Sequence, residues 1–371
     1  MALAVISCVV VLPIRAAAPP LLPSPILTVP HDLERVPYRL ALSPDGKRLL
    51  LLRPSATSFC NRIEVWDIRA KKRLLERDLP RSWGAHSGGP CAFTRDGSAV
   101  VVAGHKGDAV TMGTHTCIWV VEVPSGKIRK EIRPAPSKGM RGGLGPGDKC
   151  LVLSSDDEAI ALYDLETGKE TARLKGPEKM PHDYPVVEPG KIPADPARAV
   201  NRTEGLVVSR DGKWAAVLTE GHWLSVWDVE KKKRLWRSEV SHDTRSERVL
   251  DFSPDGAYLA RVASRRDSIQ LWDRARGGIV VERALALGGC PRFVPGTRQM
   301  IFSKTNLCGF VGWDMAKDRV WGKSWAGKRS WDGLACNGIP AVSDDGKLYA
   351  INTAEKGVLV YEIDRIWPAV E

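Results

Sequence analysis

A short turn motif recurs along this chain and limits what the chain can become. Ser/Thr-x-Asp-Gly stands at 43–46, 94–97, 209–212, 253–256 and 343–346, with variants at 145–148 and 294–296. Each copy is followed by a β-type run. In six of the seven units an aromatic–acidic pair then follows: Trp66-Asp67, Tyr163-Asp164, Trp227-Asp228, Trp272-Asp273, Trp313-Asp314 and Tyr361-Glu362, while the second unit has Val121-Glu122. An Asp-Gly step between alternating apolar runs predicts a hairpin, because such turns need positive φ. Each unit therefore reads as strand, hairpin, strand, loop, strand ending in the pair, turn, strand. The first strand is short and apolar, as in Leu40-Ala41-Leu42 and Leu206-Val207-Val208, which predicts burial on both faces. A unit of roughly 40–50 residues cannot cover both faces of its own sheet, but radially stacked units can.

Length agrees with a repeat array: 371 residues exceed one ordinary core of ~100–200. No apolar run reaches the ~18 residues of a spanning helix, which excludes a multi-span helical membrane protein. The composition, 43% hydrophobic and 27% charged, is that of a globular chain, and the net charge of +11 favours an acidic partner. Residues 1–18 read as a secretory signal, with an apolar run over 2–12 followed by Ala16-Ala17-Ala18. The expectation is export to the periplasm or beyond.

These seven units resemble the seven-bladed β-propeller of the WD40 superfamily over residues 26–371. His31, His86 and His242 match the family's outer-loop histidine, and Asp157 its aspartate before the third strand. The complete Gly-His…Trp-Asp signature stands in no single unit. The resemblance implies an all-β fold of four-stranded antiparallel blades. Residues 26–29 would close the last blade as its outer strand, with 366–370 as the competing segment. It also implies protein or peptide binding through blade loops, with no enzyme activity. One segment breaks the period: 175–204 carries Pro177, Pro181, Pro185, Pro189, Pro193 and Pro196 and reads as an extended loop.

Candidate binding residues are the Arg, Lys and Trp expected on one rim: Arg81, Trp83, Arg141, Trp223, Arg245, Arg265, Arg266, Lys304, Arg329 and Trp331. Arg and Trp dominate protein hot spots, and they equally suit phosphate contact with stacking, so DNA or an anionic polysaccharide is the alternative partner. Cys60 with Cys91, and Cys308 with Cys336, fall at matching positions of adjacent units; an exported chain could bridge them. No P-loop, His-Glu-x-x-His, Gly-x-Ser-x-Gly or Cys-x-x-Cys motif occurs, so no cofactor is expected. Two weaker enzymatic readings rest on scattered residues. His105, Asp108, His115 and Cys117 could offer metal ligands from a Gly-rich loop. Asp228 with Trp236, and Asp314 with Trp321, partly match the tryptophan-docking turns of quinone-dependent propellers.

Overall fold

The computed structural model describes residues 23–30, 37, 39–55, 61–80, 82–83, 89–107, 114–134, 141–154, 159–175, 203–219, 223–240, 250–263, 268–284, 290–304, 309–324, 340–353 and 357–366. For 82–83, 105–107, 114–115, 303–304, 309–310 and 322–324 only the backbone is described.

Seven antiparallel sheets form a ring. We call the strands of each blade a to d from the axis outward. The a strands are Arg39–Leu42, Cys91–Phe93, Gly142–Leu144, Thr203–Val208, Leu250–Phe252, Pro291–Val294 and Ala341–Val342. Each touches the next in that order and the seventh touches the first, so the ring closes. The seventh blade takes its d strand from the other end of the chain. Leu27–Val29 pairs with Gly357–Glu362, setting Leu27 opposite Val360 and Val29 opposite Val358. This is the predicted closure. Of the competing segment 366–370 only Ile366 is among the described residues; it ends a short helix, Ile363–Ile366, whose Ile363 and Ile366 are buried between blades 6 and 7.

The core is divided into seven clusters, one between each pair of neighbouring blades. This explains why the b strands are apolar at consecutive positions. In Arg48–Pro54, Leu50 and Leu52 pack toward blade 2 while Leu49 and Leu51 pack toward blade 7. The aromatic of each aromatic–acidic pair obeys one rule: it packs against the preceding blade. Tyr163 meets blade 2, Trp227 blade 3, Trp272 blade 4, Trp313 blade 5, Tyr361 blade 6 and Trp66 blade 7.

The acid of the pair serves its own blade. Asp67 Oδ1 accepts the Ala70 N–H (2.7 Å), Asp164 that of Thr167 (2.6 Å) and Asp228 that of Lys231 (2.8 Å). Asp273 and Asp314 act likewise on Arg276 and Lys317. An aspartate here turns the chain from strand c into strand d by satisfying a backbone donor that the turn would leave unpaired.

The a–b hairpins carry a positive-φ glycine in all seven blades: Gly46, Gly97, Gly147, Gly212, Gly256, Gly296 and Gly346. In the Ser/Thr-x-Asp-Gly copies the aspartate keeps negative φ, so these are type I turns ending in a left-handed glycine. The aspartate is used as an acceptor instead. Ser43 Oγ donates to Asp45 Oδ1 (2.6 Å), Lys47 N–H donates to the same oxygen (3.1 Å), and Arg48 N–H donates to Ser43 Oγ (2.9 Å). The hydroxyl–carboxylate bond recurs at 2.6 Å in Thr94–Asp96, Ser209–Asp211, Ser253–Asp255 and Ser343–Asp345.

Two expectations change. The Gly-rich loop of blade 2 is largely strand: Ala99–Gly107 pairs with Thr114–Glu122, setting His105 opposite Thr116 and Lys106 opposite His115. Positions 105 and 115 therefore lie on opposite faces of the ladder, because strand faces alternate with a period of two. Asp108 lies outside the described residues. The long loop ends earlier than expected, because Thr203 and Glu204 already belong to strand a of blade 4; residues 176–202 lie outside the described residues, as do 1–22.

Candidate functional site: the axial channel and its rims

The a strands surround a channel of about 290 Å³ to which all seven blades contribute. Its wall carries five arginines: Arg39, Arg95, Arg141, Arg210 and Arg292. Each is tied to another blade. Arg39 Nη2 donates to Gly89 O (2.9 Å) and Arg141 Nε to Glu204 O (3.2 Å). Arg292 Nε donates to Pro340 O of blade 7 (2.9 Å), while its Nη1 lies 3.4 Å from Asp251 of blade 5. Asp251 in turn accepts the Phe293 N–H (2.9 Å). Asn352 of blade 7 donates to Pro37 O (3.1 Å), tying the last blade to the segment that leads into the first. Arg39, Arg95 and Arg141 meet carbonyl acceptors, which leave their charge in place, whereas Arg292 and Arg210 face Asp251 and Asp344; with five arginines against Asp148 and Asp344 in its lining, the channel is basic as well as cross-braced.

The end of the channel beside the a–b hairpins is bridged. Arg210 of blade 4 reaches Asp344 of blade 7 (2.7 Å), and Arg95 of blade 2 donates to Arg210 O (2.7 Å). Neither pair of blades is adjacent, so both bonds cross the axis. Asp148 Oδ2 accepts the Arg95 backbone N–H; burial nevertheless raises its pKa above the ordinary carboxylate value. Burial likewise raises Asp251, against the opposing pull of Arg292. A larger groove of about 1170 Å³ opens on this hairpin side between the closing strand and Glu362–Arg365.

The sequence-predicted residues divide as follows. Arg141 is 7% exposed and belongs to the channel wall, where its backbone N–H also meets Ser154 Oγ (2.9 Å). Trp223 opens strand c of blade 4 and is half-buried, with the Arg237 guanidinium stacked on its ring at 3.6 Å. Trp83 sits in a two-residue strand paired with His105 at the inner edge of blade 2. Lys304 ends strand b of blade 6. Arg81, Arg245, Arg265, Arg266, Arg329 and Trp331 lie outside the described residues. So do Cys60, Cys308 and Cys336, the mates in both proposed bridges. Cys91 is a free thiol in the channel wall, pushed up to about 11 by burial.

Sequence reasoning missed the arginine circuit and the bridged channel end. Arg95, Arg210 and Asp344 each follow the first residue of a hairpin motif, and that shared offset was the available signal. Trp236 and Trp321 are structural: Trp236 packs on Gly277 of the next blade, and Trp321 against Gly312 of its own. Among the described residues no cluster of three or more His, Cys, Asp or Glu is placed to hold a metal ion.

No protein-family model matches the chain. Over 147 residues, 39% of its length, it is 26% identical to an uncharacterized WD repeat-containing protein of Synechocystis sp.. That stretch spans about a third (34%) of the relative's own length. Seven antiparallel blades closed into a ring, each of four strands with a further two-residue strand added to the second, define a β-propeller. More narrowly, the likeness over that stretch is to the WD-repeat type of propeller. Such folds are commonly protein-interaction scaffolds and typically not enzymes. Among the described residues no helix is long and apolar enough to cross a membrane.

Proposed function

We propose that this protein is an exported, non-enzymatic binding scaffold that engages a protein or peptide through the rim opposite the a–b hairpins. The observation that carries this reading is topological. Every d-to-a connection and every b-to-c connection leaves its strands on that one rim, whereas the hairpin-side end of the channel is bridged by Arg95, Arg210 and Asp344. The strands flanking all ten candidate residues open onto the same rim. Trp223, held by Arg237, supplies an aromatic surface there of the kind that anchors protein interfaces. The basic channel supports a second reading, an acidic polymer laid over the same rim.

Affinity capture with the full chain at low and high salt separates the two. A protein partner held by apolar anchors persists at high salt and is weakened by Trp223→Ala. An acidic polymer is released steeply as salt rises, because its counterions return. Absence of any captured macromolecule under both conditions would overturn the scaffold reading.

A further inference from the structure

The wall of the axial channel is layered. Pairing with strand b fixes the height of each residue on strand a. Arg39 lies opposite Leu52 and Arg141 opposite Ser154, which are equivalent positions of blades 1 and 3, at the end of the wall away from the hairpins. One rung nearer the hairpins come Ala92, Gly143 and Val207, and on that same rung Arg292 enters from blade 6. Arg95 and Arg210 stand at the hairpin end. A stretch walled by small side chains thus has guanidinium groups above it, beside it and below it. The lining sets five arginines against Asp148 and Asp344. Such an excess of one charge in a narrow cleft with protein walls raises the local concentration of ions of the opposite charge.

We propose that the channel binds one small oxyanion carrying at least two negative charges, a phosphate or a compact polycarboxylate. The chain itself displays the chemistry that this wall accepts: the Asp344 carboxylate lies 2.7 Å from Arg210, and that of Asp251 lies 3.4 Å from Arg292. Guanidinium forks suit carboxylate and phosphate oxygens alike. Volume sets the size of the occupant. About 290 Å³ is just below the roughly 300–1,000 Å³ of sites that take drug-sized ligands, so the channel suits a small ion and not a length of polymer. Its position sets the consequence. Arg39, Arg141 and Arg292 come from blades 1, 3 and 6, spaced two, three and two blades apart around the ring. An anion attracted to all three ties together blades that do not touch, and so stabilises the closed ring. The site lies within the wall and is independent of what the rim binds.

Isothermal titration calorimetry of the full chain with inorganic phosphate, and separately with citrate, tests this at an ionic strength held constant with sodium chloride. The expected result is saturable binding of one anion per chain by at least one of the two, and which one binds identifies the group. The Tm should rise with the concentration of that anion, as mass action requires, and acetate should have neither effect. Ala92→Asp adds a carboxylate to the wall without removing a brace, at the register position where blade 5 already carries Asp251. It should weaken binding at least tenfold with an unchanged circular dichroism spectrum. Arg95→Gln, at an exposed side chain of the hairpin end, should weaken it severalfold. Lys317→Gln removes the same charge from an exposed turn of blade 6, outside the channel, and should leave the affinity unchanged. No saturable binding and no Tm shift with either anion up to roughly 10 mM, well above a millimolar Kd, would overturn the proposal. So would an equal effect of acetate, or an affinity that both channel substitutions leave unchanged.

Discussion

Asp96 shows how one side chain fixes a hairpin. The Thr94 hydroxyl, the Ser98 N–H and the Ser98 hydroxyl all donate to its carboxylate and hold its pKa down to about 2, against an ordinary 3.8. At Asp45, Asp255 and Asp345 burial opposes ionisation, and the hydroxyl and backbone donors overcome it. The folded carboxyl thus holds its proton less tightly than the unfolded one. The resulting stability is whole above pH 3.8 and is lost as pH falls toward about 2. Urea midpoints measured across that window should fall with acid, and Asp96→Asn should flatten part of that fall. Gly256 shows the steric side of the same turn. It has φ +67°, and a Cβ there would sit 3.0 Å from Trp214 Cδ1. Gly256→Val should cost about 1–3 kcal/mol in denaturant titration, from left-handed strain together with displacement of that ring. Both motifs were legible in the sequence because the information is local.

At the scale of the element, blades dock through their c–d turns. Gly126 of blade 2 lies over Leu75 of blade 1, Gly168 of blade 3 over Ile132 of blade 2, and Gly277 of blade 5 over Trp236 of blade 4. Trp236 makes the most of this. Its Nε1–H donates to Arg274 O (2.6 Å), and its ring stacks on Trp272 at 5.8 Å with 16° between planes. Across the same junction, the Arg274 guanidinium covers Trp214 at 3.9 Å. Trp236→Ala removes a half-buried aromatic from this junction and should cost about 2–4 kcal/mol, read as a lower urea midpoint. Only part of this was legible. The tryptophans and turn acids stood out, but their roles did not: the acid could have been recognised from its Asp-x-x-x turn, whereas the aromatic's choice of the preceding blade depends on how the sheets stack. The histidines of blade 2 were misread because a Gly-containing stretch was taken to break the strand; the long ladder of Ala99–Gly107 against Thr114–Glu122 overrides that local preference.

The whole molecule depends on a short strand. Leu27 and Val29 are buried between blades 7 and 1, and Ile26 N–H donates to Val360 O (2.8 Å). A ring of seven inter-blade cores loses cooperativity if one junction opens. Placing carboxylates there, in a Leu27→Asp, Val29→Asp double variant, should cost more than about 4 kcal/mol, since unpaired charge is forced into an apolar junction. The same change exposes Gly357–Glu362 as a free edge, so aggregation during size-exclusion chromatography is the second expected sign.

The number of blades, the position of each hairpin and the closing strand follow from the chain alone. They rest on residues whose demands are met within a few positions, namely a left-handed glycine, a turn aspartate and a two-residue apolar alternation, repeated at a readable period. Closure around the axis decided the rest. Arg141 is a brace within the wall, Arg210 reaches Asp344 across the channel, and Ile279–Val281 lies exposed on the circumference. These outcomes join or separate residues from distant blades, and no local pattern encodes which side chains a ring will bring face to face.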